Sequence, residues 1–291
     1  MRDRAWAPPE ARSADGAREE ELSERLEPID FVALGGVPAF LVVVFVLFGS
    51  APDGLTLSYS SPTPLSVLTA HYVHGSVDHL VANVAAYAFV VPTAYVLSVM
   101  SGRRREFGVA LVGFLLVLPP VLSGLVLVGF ERGVAFGFSG VTMAFVGLLP
   151  VFLGSFVGDG GVHAGVDDLA PGLFFLGLGL IAVRSIPTDA YRLPIVVVAV
   201  AVAIAYLREP IETVIRGGGW LRFAGSPRGE VATLGLLAFL LGVLVGFPGH
   251  AADGPVVVNT HGHLLGYALG FVAPYSVTRF TGRLSASAGG G

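Results

Sequence analysis

Cysteine is absent from this chain of 291 residues. That excludes a disulfide framework, a thiolate nucleophile and a cysteine metal site. Lysine is absent as well, so all 17 basic residues are arginine. Charge of either sign is scarce, at 13% of residues, against roughly 25% in soluble domains. Asparagine occurs only at Asn83 and Asn259, and histidine seven times. The apolar runs do not alternate with polar residues, which excludes a transmembrane barrel. No internal repeat or inverted pair of broken helices is evident. What remains is 54% hydrophobic, with a mean hydropathy of +0.77. The expected class is an all-α, polytopic membrane helix bundle.

A span needs about 20 mostly apolar residues. Eight candidates meet that length approximately: 31–48, 79–99, 107–129, 138–155, 170–185, 193–207, 231–247 and 258–276. Residues 1–30 carry nine of the 21 acids, five Arg, Pro8 and Pro9, and lack the apolar stretch of a signal peptide. They are expected to form a disordered cytoplasmic tail. Residues 31–276 form the transmembrane domain, and 277–291, closing in "SASAGGG", a flexible C-terminal tail. With the N-terminus inside, 14 Arg fall on the cytoplasmic side and only Arg132, Arg184 and Arg192 outside. The positive-inside rule then places both termini in the cytoplasm of a multi-pass protein of the cell membrane.

Polar side chains at membrane depth default to function. His79 and Asn83 are spaced i, i+4 on one helix face at the start of the second span. Ser139 lies in "GFSG", between Gly137 and Gly140, at the start of the fourth. His263 opens the last span, above Gly266 and Gly270 in "HLLGYALG". In the assigned topology all these groups share one shallow layer below the outer surface. His71, His74 and His261 are expected to be outer-surface residues, and no carboxylate lies near enough to suggest a metal site.

A hydroxyl becomes nucleophilic when a base takes its proton. His263 is the candidate base for Ser139, as a dyad without a third carboxylate, and His79 and Asn83 are candidate donors to an oxyanion. Gly137, Gly140, Gly266 and Gly270 are small residues of the kind that lets membrane helices cross closely. Such a crossing would bring Ser139 and His263 together.

"HLVAN", "GFSG" and "HLLGYALG", in that order, resemble the rhomboid family of intramembrane serine proteases. The resemblance covers about residues 70–280 and implies a six-helix core, here with about two further helices near 170–207. It implies Ser139 as nucleophile, His263 as base, and His79 and Asn83 as oxyanion-hole residues. It also implies cleavage of single-span transmembrane proteins near their outer ends, in the lipid bilayer and without cofactor, metal or nucleic acid. The chain departs from the family pattern in three ways. Met143 stands where an aromatic residue is usual four positions after the serine, a Trp-Arg pair is missing from the first outer loop, and the serine and histidine spans are three apart. The alternatives are a catalytically silent rhomboid-like protein that binds transmembrane segments, and a transporter or channel.

Overall fold

In a computed structural model, the described residues are 27–129, 133–158, 166–187, 191–216, 225–248 and 259–288, with side chains described as far as 279. The described chain is helical apart from one short strand pair. Its long helices are α1 (Pro28–Phe48), α3 (Val77–Met100), α6 (Ser139–Gly158), α7 (Val166–Ser185), α8 (Arg192–Arg216), α9 (Pro227–Gly246) and α10 (Thr260–Ala288). Between them lie α2 (Pro64–Thr69), followed by a 3-10 turn over Ala70–Tyr72, and the pair α4 (Arg104–Leu116) and α5 (Leu118–Gly129). Among the described residues, six helices are long and apolar enough to cross a membrane, or seven spans if α4 and α5 count as one. The chain is therefore a multi-pass membrane helix bundle.

Helix α6 is the axis. Every residue from Gly140 to Val157 is buried, and α3, α7, α9 and α10 pack around it. The α6–α10 contact is the most extensive, and small residues explain it. A Cβ on Gly266 would collide with the carbonyl oxygen of Gly140, one on Gly270 with that of Ala144, and one on Gly147 with that of Tyr267. Backbones approach this closely in lipid only where side chains are small. Aromatic rings fill the wider gaps. Phe145 of α6 meets Tyr87, Phe107 and Phe114, and Tyr267 stacks on Phe174 and donates to its carbonyl oxygen at 2.9 Å.

The third expected span is broken rather than straight. Helices α4 and α5 meet at a bend of 49°, where Pro119 and Pro120 lack the N–H groups that would continue the ladder. Helix α1 packs on α3 with only 11% of its apolar window buried, and Arg104 ties its start to α4 through Glu27 and the buried Asp30. Helices α7 and α8 form a hairpin in which α8 packs chiefly against α7. Helix α10 runs past residue 277 to Ala288, because nothing between Pro274 and Gly282 breaks a helix.

The segment joining α1 to α3 is folded. Strand β1 (Leu57–Ser58) pairs antiparallel with β2 (Val134–Ala135), Leu57 opposite Ala135 and Ser58 opposite Val134. This ties the loop before α2 to the loop before α6, just ahead of Ser139. Helix α2 rests on α5, with Ser123 Oγ donating to the Val67 carbonyl at 2.9 Å. His71 Nε2 reaches Ser123 Oγ at 3.2 Å.

Candidate functional site

Three helix starts converge at one end of the bundle. Ser76 caps α3, its hydroxyl accepting the backbone N–H of His79 at 3.1 Å. That puts His79 in the first turn and Asn83 one turn deeper. Ser139 is the first residue of α6, after the fully buried Phe138. Asn259 caps α10: its Oδ1 accepts the Gly262 N–H at 2.9 Å and its carbonyl that of His263 at 3.0 Å. Its Nδ2 donates to Tyr59 O–H at 3.4 Å.

Ser139 Oγ and His263 Nε2 lie 2.6 Å apart. On the far side of the ring, Nδ1 lies 2.7 Å from the carbonyl oxygen of Gly246. A carbonyl only accepts, so Nδ1 carries the proton and Nε2 receives that of Ser139. The imidazole is oriented by a backbone carbonyl where other Ser-His sites use a carboxylate, and the edge of Phe247 stands against it at 5.9 Å and 89°. Sequence reasoning missed Gly246 and Phe247, since neither carries a recognisable signal. Met143 stands where the family pattern has an aromatic residue. The structure has it buried beside Gly246, where a Cβ on that glycine would collide with its sulfur.

Gly137 explains the first glycine of "GFSG". Its φ is +108°, and a Cβ there would lie 2.7 Å from the His79 ring, so only glycine fits. The Gly137 N–H is held by the Ala70 carbonyl at 2.9 Å. His79 therefore presses on the backbone beside Ser139, with Nδ1 turned toward the Gly75 N–H at 3.5 Å. Asn83 departs from the expected donor geometry. One amide N–H donates to the carbonyl oxygen of His79 at 2.9 Å, within its own helix, and its Oδ1 is buried without a partner among the described residues. Amides in helices default to such local bonds when nothing else is in reach.

His74 was expected at the outer surface and is instead fully buried, its ring 5.1 Å from that of His79. Neither of its ring nitrogens has a hydrogen-bond partner among the described residues. Burial, and secondarily His79, hold its pKa well below the usual histidine value, at about 4. His261 is exposed, as expected. His163, His250 and Asp253 lie outside the described residues.

A cavity of about 210 Å³ is lined by His79, Asn83, Ser139, Thr142, Met143 and His263, with Ala82 and Ala86 of α3 on one wall and Val245 and Gly246 of α9 on another. Ala82 and Val245 are exposed on the lateral face of the bundle. A second cavity, of about 1150 Å³ and mostly apolar, lies between α7, α8 and the start of α10, and shares Val134 and Asn259 with the first.

The fold and site thus define a polytopic membrane helix bundle with a half-buried Ser-His hydrogen bond. In sequence, the chain is similar to a probable molybdenum ABC transporter permease protein of Haloferax volcanii, 38% identical over 99 residues. The match covers 32% of this chain and spans about a third, 36%, of that relative. No family model and no solved structure matches. The expected assignment as an intramembrane serine endopeptidase, and as an enzyme, is corrected by this finding: the named relative is a transporter permease, and no match carries hydrolysis.

Proposed function

We propose that this chain is a rhomboid-like membrane protein that binds the transmembrane segment of single-span proteins and presents it to the pocket holding Ser139 and His263. The observation carrying this reading is a cavity of about 210 Å³, lined by Ser139, His263, His79 and Asn83 among apolar residues, whose walls on α3 and α9 reach the exposed lateral face of the bundle. A helix passing through lipid meets that face directly. Its backbone polar groups, where they fray near the membrane surface, would find partners in Ser139, His79 and Asn83 in place of hydrocarbon. The arginine distribution supports a site near the outer surface, with both termini in the cytoplasm.

The test is photocrosslinking from Ala82 or Ala86, replaced by a photoreactive residue, in cells that co-express a panel of tagged single-span proteins. Crosslinks to the ends of their transmembrane segments are expected. Crosslinks to lipid alone would overturn the reading. So would shortened fragments of the tagged proteins that vanish in Ser139→Ala, because the chain would then do more than bind.

A second reading, a transporter-type membrane protein, is favoured by the permease match over about a third of the chain. It predicts molybdenum accumulation in cells that depends on this chain, and that measurement separates the two readings.

A further inference from the structure

Arg184 is one of only three arginines that the topology leaves on the side of the bundle poor in them. It lies in the last turn of α7, and its guanidinium donates to a short stretch of backbone. Nε donates to the Phe247 carbonyl at 2.5 Å and Nη2 to the Pro248 carbonyl at 2.9 Å. These carbonyls follow the last turn of α9, where helix geometry leaves C=O groups without intrahelical partners. Arginine's planar fork suits two neighbouring acceptors and holds them in a fixed relation.

The same stretch supports His263. Gly246 accepts the Nδ1–H, and the Phe247 ring stands edge-on to the imidazole. On its third side Gly246 abuts Met143, with no room for a Cβ. The backbone that orients the imidazole is thus held between α6, α10 and Arg184. Of the three, Arg184 alone belongs to the α7–α8 hairpin.

We propose that Arg184 is a positioning residue that couples the α7–α8 hairpin to the Ser139–His263 pair by fixing the carbonyls at the end of α9. The proposal rests on the function proposed above, in which the Ser139–His263 pair lines the pocket that meets the bound segment. With Arg184 in place, the Gly246 carbonyl stays on the Nδ1–H and Nε2 stays on Ser139 Oγ. Without it, residues 246–248 lose their outer anchor, the imidazole turns, and the hydroxyl loses its acceptor. The hairpin then serves as a brace, and anything that pulls α7 away from the end of α9 slackens the pair.

The experiment measures the rate at which a fluorophosphonate labels Ser139 in the full chain, purified in detergent, across pH 5–9. Wild type, Arg184→Met and Arg184→Lys are compared, each with its thermal unfolding midpoint. Met keeps the aliphatic stem and removes the donors, whereas Lys keeps one charged donor. Labelling at least tenfold slower in Arg184→Met is expected, with a displaced pH profile, a midpoint close to wild type and partial recovery in Arg184→Lys. Wild-type labelling matched by a folded Arg184→Met overturns the proposal. So does slower labelling that only tracks a fall in midpoint, with an unmoved pH profile. If Arg184→Met does not fold, Arg184→Lys decides by the same two criteria. Failure of the wild type to label at Ser139 overturns the underlying reading of the pair instead.

Discussion

The carbonyl of Gly246, at the last turn of α9, and the imidazole of His263, in the first turn of α10, are joined by a hydrogen bond of 2.7 Å. This bond fixes the neutral tautomer of His263 and aims Nε2 at Ser139, 2.6 Å away. The geometry of the pair therefore depends on a backbone position whose side chain has no chemistry of its own.

Ser139 is expected to be the residue that a fluorophosphonate labels. His263→Ala is expected to slow labelling by about 10²–10⁴-fold, the usual contribution of a positioned base, and Ser139→Ala to abolish it. Peptide mapping by mass spectrometry after labelling checks the site, and modification elsewhere would count against this assignment.

Gly270→Ala adds a methyl group where Ala144 backbone atoms already sit. The α6–α10 crossing must open, at about 1–3 kcal/mol for an overpacked contact. A lower unfolding midpoint in detergent is expected. Slower Ser139 labelling is expected with it, because the same crossing holds His263 against Ser139. An Ala at Gly108, where a Cβ meets nothing within 4 Å, is the control and should leave both unchanged.

Asn259→Ala removes the acceptor for the Gly262 N–H. Loss of such a cap costs roughly 0.5–2 kcal/mol. The unfolding midpoint should fall accordingly. Asn259→Asp, which keeps the acceptor, should restore most of it.

His74 supplies the pH dependence. Its pKa is about 4 in the folded protein, against about 6.5 for an unperturbed imidazole. The unfolded state thus binds more protons between these values, and stability rises with pH across that window. The contribution is complete above about pH 6.5 and is lost as pH falls toward 4, by roughly 3 kcal/mol at the acid limit. The unfolding midpoint should drop on acidification from pH 7 to 4.5. In His74→Leu the drop should be smaller, and stability at pH 5 should be no lower than wild type, because the leucine leaves no ring nitrogen without a partner.

The membrane class and the helical spans were legible because hydropathy acts locally. Ser139, His263, His79 and Asn83 stood out as polar groups with few counterparts in an apolar chain. The glycines at 266 and 270 were legible as a spacing, though not as contacts. Burial of His74, the inward turn of the Asn83 amide, and the roles of Gly246, Phe247 and Asn259 were not legible. Each depends on which distant element lies alongside.

Composition by itself determined that the chain must bury its backbone bonds within helices, since hydrocarbon offers no partner for a free N–H or C=O. It also placed a hydroxyl and an imidazole at the starts of helices that run the same way. Only the tertiary structure decided that these two groups meet, because the α6–α10 crossing depends on glycine facing backbone across 124 positions of chain. It alone decided what stands behind the imidazole, since a carbonyl can be recruited from any residue and leaves no mark in the side-chain alphabet.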